Sequence, residues 1–328
     1  MQRRKLGHSG LDVSTLVLGG NVFGWTIDQP TSFAVLDAYA AAGGNTVDTA
    51  DGYSIWVPGN KGGESETIIG AWMKSRGNRD RIVVATKVGW ELSPTRKGLA
   101  RAYIRESVEG SLKRLQTDYI DLYQSHRDDP ATSPEETLET YSELVRAGKV
   151  RAIGASNYGA DRLTASLDIS RACGYPRYES LQPLYNLYDR AEFETTLEPV
   201  CAGAGLGVIP YYSLASGFLT GKYRSEHDLS ASTRGKNVGN KYLNDRGRRI
   251  LAALDDAARD CHATLATVAV AWLIARPSVT AAIASATSVE QLHDVVAATA
   301  LQLDPSVIER LDTASAYANE PTSVSTSG

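Results

Sequence analysis

Eight apolar, β-rich runs recur along the chain at nearly even spacing, and this repeat limits the fold more than any other feature. They are Thr15–Gly19, Asn45–Asp48, Ile82–Lys87, Tyr119–Ser125, Val150–Ser156, Tyr178–Gln182, Gly207–Tyr211 and Val279–Ser285. Their starts lie 30, 37, 37, 31, 28, 29 and 72 residues apart. An interval of about thirty residues holds one strand and one crossover helix, so the last interval carries an insertion. Helical patterns fill the gaps. Ile104, Val108, Leu112 and Leu115 repeat near the helical period and mark one apolar stripe. Ser32–Ala42, Glu64–Arg76, Ser133–Ala147, Asp161–Cys173 and Glu192–Ala204 read alike. Ser133-Pro134-Glu135-Glu136 is a helix start, and the glycines at 43, 44, 148 and 174 are helix stops.

Strands alternating with helices specify a parallel α/β protein. The eight-fold solution is a (β/α)8 TIM barrel. An open, doubly wound sheet would carry a glycine fingerprint after its first strand, and none stands there. Gly7-His8-Ser9-Gly10 before Leu11–Val13 predicts an N-terminal β-hairpin. Leu214–Arg246, rich in Gly, Ser, Asn, Lys and Arg, predicts an extended loop after strand seven. No break in composition marks a second domain, so residues 1–319 read as one barrel domain and 320–328 as a flexible C-terminal tail.

Composition excludes several classes. The 328 residues carry a formal charge of −4, without the basic balance of a protein held by phosphate contacts. Cys173, Cys201 and Cys261 cannot all pair. The basic start Met1-Gln2-Arg3-Arg4-Lys5 leads into polar residues rather than an apolar signal core. Ala263–Ala275, the most apolar stretch, is too short to span a bilayer. The expectation is a cytoplasmic, reduced protein with no membrane or nucleic-acid partner; an assembly of identical copies stays open. No pair of histidines has metal-ligand spacing, so no metal is expected.

In a barrel the chemistry gathers at the carboxyl ends of the strands. Strand two runs out through Asp48-Thr49-Ala50-Asp51-Gly52-Tyr53, strand three ends in Lys87, and strand four ends in His126. Four groups able to share protons therefore face one mouth. A free tyrosine, with a pKa of about 10, is a poor acid at neutral pH, and a neighbouring ammonium is expected to lower that pKa. A carboxylate holds the lysine, and a histidine donor holds a substrate oxygen. The set suits protonation of a carbonyl oxygen while hydride arrives at the carbon.

With these residues in view the chain resembles the aldo-keto reductases over nearly its whole length. Asp48, Tyr53, Lys87 and His126 match that family's catalytic tetrad in order and context, through Asp-Thr-Ala-Asp-Gly-Tyr and Ala-Thr-Lys-Val. Gly154-Ala155-Ser156-Asn157, Gln182-Pro183-Leu184-Tyr185-Asn186 and Tyr212-Ser213-Leu214-Ala215 through Gly217 to Lys222 match further motifs. The resemblance implies reduction of an aldehyde or ketone to an alcohol, with hydride from a nicotinamide and a proton from Tyr53. It implies that Ser156, Asn157 and Gln182 bond the carboxamide and that Tyr212 stacks on the ring. Ser213, Leu214, Gly217 and Lys222 would line the rest of the nucleotide. Relatives often place Lys or Arg near Ser285, Thr287 and Gln291 to hold a 2′-phosphate, and an Asn at Val295 for the adenine. The resemblance favours NADP(H); because the positions here are not cationic it leaves NAD(H) open, with hydroxyls, a helix N-terminus, and Arg234 or Lys236 on the long loop as the groups that would meet a phosphate.

The substrate would be a small carbonyl compound. Phe23, Trp25, Trp56, Trp90 and Tyr185 are expected to give an aromatic rim, and Arg127 polarity beside His126. Three other motifs are rejected. Gly203–Gly207 follows a helix and precedes a strand, the reverse of a dinucleotide fingerprint. Gly217–Lys222 is one residue short of a P-loop and is followed by Tyr223. Glu64 starts a helix rather than pairing with Asp48 as a glycosidase would require. The alternative function is a nicotinamide-nucleotide-binding regulatory subunit with little turnover, as in channel-associated barrels that resemble this family. A nucleotide-free hydrolase or isomerase barrel is a third.

Overall fold

The computed structural model describes residues 1–229 and 235–317, so Arg234 and the tail 320–328 lie outside the described residues, as does the side chain of Lys236. An antiparallel hairpin of β1 (Arg3–Lys5) and β2 (Asp12–Ser14) precedes eight parallel strands. These are β3 (Leu16–Gly19), β4 (Thr46–Asp48), β5 (Val83–Val88), β6 (Ile120–Ser125), β7 (Val150–Ser156), β8 (Tyr178–Gln182), β9 (Gly207–Val208) and β10 (Ala282–Ala284). From β3 to β9 each strand pairs with the next in sequence, and β10 pairs back onto β3. Beyond β9 the wall is sealed by Thr280 N donating to Val208 O at 2.8 Å and Ile283 N to Pro210 O at 3.0 Å. The sheet is thereby a closed (β/α)8 barrel, as the repeat predicts.

Period-two alternation sorts each strand into an inside and an outside. On β5, Ala85 and Lys87 point into the barrel, while Val84 and Val88 join the outer core and Thr86 bonds outward. On β6, Leu122 and Gln124 point in and Tyr123 points out. The lower interior is apolar: Val17, Ala85, Leu122, Ala152, Ile209 and Ile283 pack with Leu6, Leu11 and Val13 of the hairpin region, which plugs that end. One step up, the same faces carry Lys87, Gln124 and Gln182. The barrel is thus dry below and polar at its upper mouth.

The helices form the outer layer: α1 (Gln29–Ala41), α2 (Glu64–Arg76), α3 (Arg101–Leu115), α4 (Pro134–Arg146), α5 (Ala160–Cys173), α6 (Glu198–Ala204), α7 (Glu226–Leu229), α8 (Gly235–Tyr242), α9 (Asp245–Asp260), α10 (Leu265–Ile274), α11 (Val289–Ala297) and α12 (Pro305–Ser315). Ser133 caps α4, accepting from Glu136 N at 3.1 Å, as its sequence predicts. Two expectations are corrected. α1 starts earlier than Ser32, because Asp28 accepts from Thr31 N and Pro30 fits the first turn. The segment 214–246 is not a plain loop. It holds a 3-10 turn (Ala215–Thr220), α7, α8 and the start of α9. Tyr242 anchors it, stacked 5.4 Å from Phe218 and donating to Asp189 at 2.9 Å.

Between β5, α2 and α3 lies a buried charge cluster. Glu66 accepts from Thr86 Oγ1 and from Arg114 Nε, both at 2.6 Å. Asp51 accepts from Ser107 Oγ at 2.8 Å, and its other carboxylate oxygen is buried without a partner among the described residues. Burial first, and the charge of Glu66 second, push the Asp51 carboxyl up to about 7. The folded state therefore keeps a proton that the unfolded chain loses near pH 4. The stability this confers is complete below pH 4 and is lost as the pH rises through 7, by at most about 4 kcal/mol at roughly 1.4 kcal/mol per unit. Asp51→Asn removes the titration. Its melting temperature relative to wild type is expected to be several degrees higher at pH 8 than at pH 5 in thermal scans; an equal difference at both pH values refutes the assignment.

Candidate active site

The deepest charge at the mouth is Lys87, which is fully buried. Its ammonium has three N–H donors, and all three are engaged: with Asp48 Oδ2 at 2.7 Å, the Thr49 carbonyl at 2.8 Å and the Tyr53 hydroxyl at 2.9 Å. Asp48 is held on its other oxygen by Gln182 Nε2 at 2.8 Å and Gln124 Nε2 at 3.4 Å. Such satisfaction of every donor and lone pair is what a buried ion pair requires. The strand register explains the meeting: Asp48 pairs with Ala85, one inward step below Lys87, and Lys87 pairs with Gln124.

Because Tyr53 accepts from Lys87, its own proton points elsewhere, and no acceptor for it stands among the described residues. The expected lowering of its pKa is corrected. Burial, then the negative charge of Asp48, hold the phenol well above its usual value, so it keeps its proton, accepting from Lys87 and leaving its own O–H to donate. Burial likewise draws the Lys87 ammonium down against the opposing pull of Asp48. His126 lies 5.8 Å from the Tyr53 ring, edge to face, and its Nδ1 is buried without a partner among the described residues. Burial, then Lys87 and Arg127, push its pKa well below the usual imidazole range. The ring is neutral and keeps one N–H to give. One phenol and one imidazole thus offer donors to the same space.

An aromatic rim frames that space. Trp56 packs edge-on against Trp25 at 5.4 Å and against Tyr53 at 6.0 Å. Trp90 leans on His126 at 5.1 Å, and the Arg127 guanidinium sits 4.5 Å above Trp90. Phe23 is a correction: it is wholly buried in the outer core, where no solute touches it. Tyr185 is another, packed between Phe193 and Trp272 with its hydroxyl on Glu194.

The opposite lip is polar and strained. Ser156 donates to the Gln182 carbonyl at 2.9 Å. Asn157, with φ of 55°, donates to the His126 carbonyl at 2.9 Å and accepts from Tyr211 at 2.7 Å. Tyr212 is exposed at a φ of 57°, its carbonyl held by Asn186 Nδ2 at 3.0 Å. Ala215, Ser216 and Gly217 follow at φ of 48°, 57° and 91°. A non-glycine residue held there costs about 1–3 kcal/mol, and such strain gathers at ligand clamps. Gly217 suits its φ of 91°, which other residues rarely adopt, and the end of the Lys222 side chain lies against it. Ser213 donates to the Ile283 carbonyl at 2.7 Å, tying the loop to β10, and Leu214 is partly buried beside it. Ser285 donates to Asn21 at 2.7 Å, while Thr287 N and Oγ1 both bond Gln291 just before α11. Ser285, Thr287 and Gln291 therefore border one edge, next to the Ser288-capped start of α11.

The sequence profile of the Aldo/keto reductase family matches residues 15–316. The chain belongs to the aldo/keto reductase family. It is 35% identical over 320 residues to the uncharacterized oxidoreductase YrpG of Bacillus subtilis, covering 95% of each chain. It is 34% identical over 322 residues to a probable voltage-gated potassium channel subunit beta of Oryza sativa, covering 95% of this chain and 96% of that one. It is also 34% identical over 304 residues to the aldo-keto reductase YhdN of Bacillus subtilis, covering 89% of this chain and 87% of that one. This aldo/keto reductase is an oxidoreductase, and its family generally binds nicotinamide cofactors. Among its described residues no helix is long and apolar enough to cross a membrane.

Sequence reasoning passed over Gln124, Asn186, Tyr211 and Asn21. Gln124 was within reach: it follows the inward Leu122 by two. The others act through loop geometry that no spacing shows. The neutrality of His126 is testable. Its imidazole signals are expected to stay those of the neutral ring as the pH falls through the usual value of about 6.5; titration of His126 in that range by NMR refutes the burial argument.

Proposed function

We propose that this aldo/keto reductase reduces an aldehyde or ketone to the corresponding alcohol with NAD(P)H. The carrying observation is the Lys87 ammonium, whose donors are all spent on Asp48, Thr49 and Tyr53. That leaves the Tyr53 proton turned toward the mouth. When bound, the nicotinamide supplies hydride to the carbonyl carbon. Tyr53 gives its proton to the oxygen and recovers one from solvent, so one carbonyl, one reduced nucleotide and one proton become an alcohol and an oxidised nucleotide. His126, neutral, donates to the same oxygen and orients it. Asp48 fixes Lys87, and the Lys87 ammonium holds the phenol in place and meets the negative charge that grows on it.

The left-handed platform at Tyr212, the neighbouring Asn157 and the cradle of Gly217 and Lys222 fit a flat ring with a phosphate tail. NADP(H) is the favoured nucleotide and NAD(H) the alternative. Ser285 and Thr287 beside the α11 N-terminus suit a phosphate without a cation. The three free thiols support a reducing, cytoplasmic setting. Similarity to proteins named as probable channel subunits favours a second reading, a nucleotide-binding regulatory subunit with little turnover. The proton-donor geometry at Tyr53 favours catalysis over it.

Tyr53→Phe is expected to cut carbonyl reduction by at least about a hundredfold while NADPH still quenches the fluorescence of the five tryptophans. Turnover retained in that variant refutes the role of Tyr53. Failure of both NADPH and NADH to quench the wild type refutes the reductase reading.

A further inference from the structure

Charged side chains beside Arg127 at the mouth are held by a counter-charge or by hydrogen-bond donors, and Arg127 has neither among the described residues. Asp128 is taken by Arg162 at 2.7 Å, and Asp129 by the Leu99 amide at 2.8 Å and Thr132 Oγ1 at 2.7 Å. On the neighbouring loop after β5, Arg96 faces Glu106 at 3.5 Å and Lys97 faces Glu91 at 3.6 Å. Arg127 makes no hydrogen bond or ion pair among the described residues; its only partner there is the face of Trp90. Stacking uses the face of a guanidinium and leaves its N–H edges free, in a fork that matches a carboxylate. Trp90 in turn leans on His126, whose ring lies edge to face with Tyr53, and Tyr53 packs against the exposed Trp56, so a single ring separates Arg127 from the donor space. The chain as a whole carries −4, so its overall field disfavours anions and any attraction is local to Arg127.

We propose that the substrate carries a carboxylate on the far side of an aromatic or ring-like body from its carbonyl, and that Arg127 binds that carboxylate. This rests on the reductase reading and names its substrate class. The ring lies against the tryptophans, the carbonyl reaches Tyr53 and His126, and the carboxylate meets the guanidinium. The contact is remote from the reacting atoms and equal in ground and transition states, so it acts through KM.

The test compares 4-carboxybenzaldehyde with methyl 4-formylbenzoate, which differ only in that charge. At low salt the wild type is expected to prefer the carboxylate by about tenfold or more in kcat/KM, mostly in KM, with the preference shrinking as salt rises. Arg127→Met removes the preference, Arg127→Lys restores part of it and Arg127→Glu reverses it. A wild type without preference, or a preference unchanged in Arg127→Met, overturns the proposal. If neither aldehyde is reduced, the same variants are titrated with 4-(hydroxymethyl)benzoate and its methyl ester by tryptophan quenching in the presence of NADPH. Tighter binding of the carboxylate that depends on Arg127 upholds the anion site, and the reductase reading then stands or falls on the NADPH and NADH titration of the wild type; binding that ignores Arg127 overturns the site.

Discussion

The buried pair of Lys87 and Asp48 is the interaction on which the upper half of the barrel depends. An ammonium with no access to water is tolerated only if each of its donors meets an acceptor, and three acceptors do. Asp48 in turn draws the amides of Gln124 and Gln182 inward. One carboxylate thereby ties β4, β5, β6 and β8 together from inside. Loss of either partner leaves the other as an uncompensated buried charge, a defect that costs about 3–5 kcal/mol. The apolar layer beneath, with Ala85, Leu122 and Ala152, makes this possible by keeping water from the underside of the pair.

The same burial sets the chemistry. A phenol beside a lysine would acidify in water. Here desolvation and Asp48 outweigh that effect, so Tyr53 is a firm proton holder with one direction in which to release. His126 is kept from charging by the same dryness and by two cations. The two donors thus stand in fixed protonation states before any ligand arrives, which is the preorganisation an oxyanion requires. The mouth around them is divided. Tryptophans and Arg127 frame one lip, and hydrogen-bonded backbone in left-handed conformations frames the other.

Much of this is legible in the sequence, for physical reasons that particular residues display. Period-two alternation puts Lys87 two steps above Ala85, and a barrel brings the ends of β4, β5 and β6 to one mouth. Ser133-Pro134 announces α4 because cap and first turn are local chemistry. What failed depends on direction and depth, which spacing does not encode. Phe23 and Tyr185 are aromatic and near strand ends, yet both turn outward into the helix layer. The phenol of Tyr53 needed a depth before its pKa could be assigned. The segment 214–246 has loop composition, yet its described residues include short helices, with Tyr242 stacked on Phe218 as a local core.

The seam of the barrel has a consequence for how the protein comes into being. β10 pairs with β3 across more than 260 residues of intervening chain, and the segment around it also seals the wall at β9, through Thr280 on Val208 and Ile283 on Pro210. Pairings so distant in sequence pay loop-closure entropy before they stabilise anything, and so form late. During synthesis the residues of the Lys87 cluster emerge long before the strand that closes the wall around them. Until the last quarter of the chain has left the ribosome, a nascent molecule holds its most hydrophilic interior in an open sheet, where Lys87 and Asp48 can still be hydrated. Desolvation of that pair is thus completed only on closure, and the finished enzyme and its dry proton donor arise together.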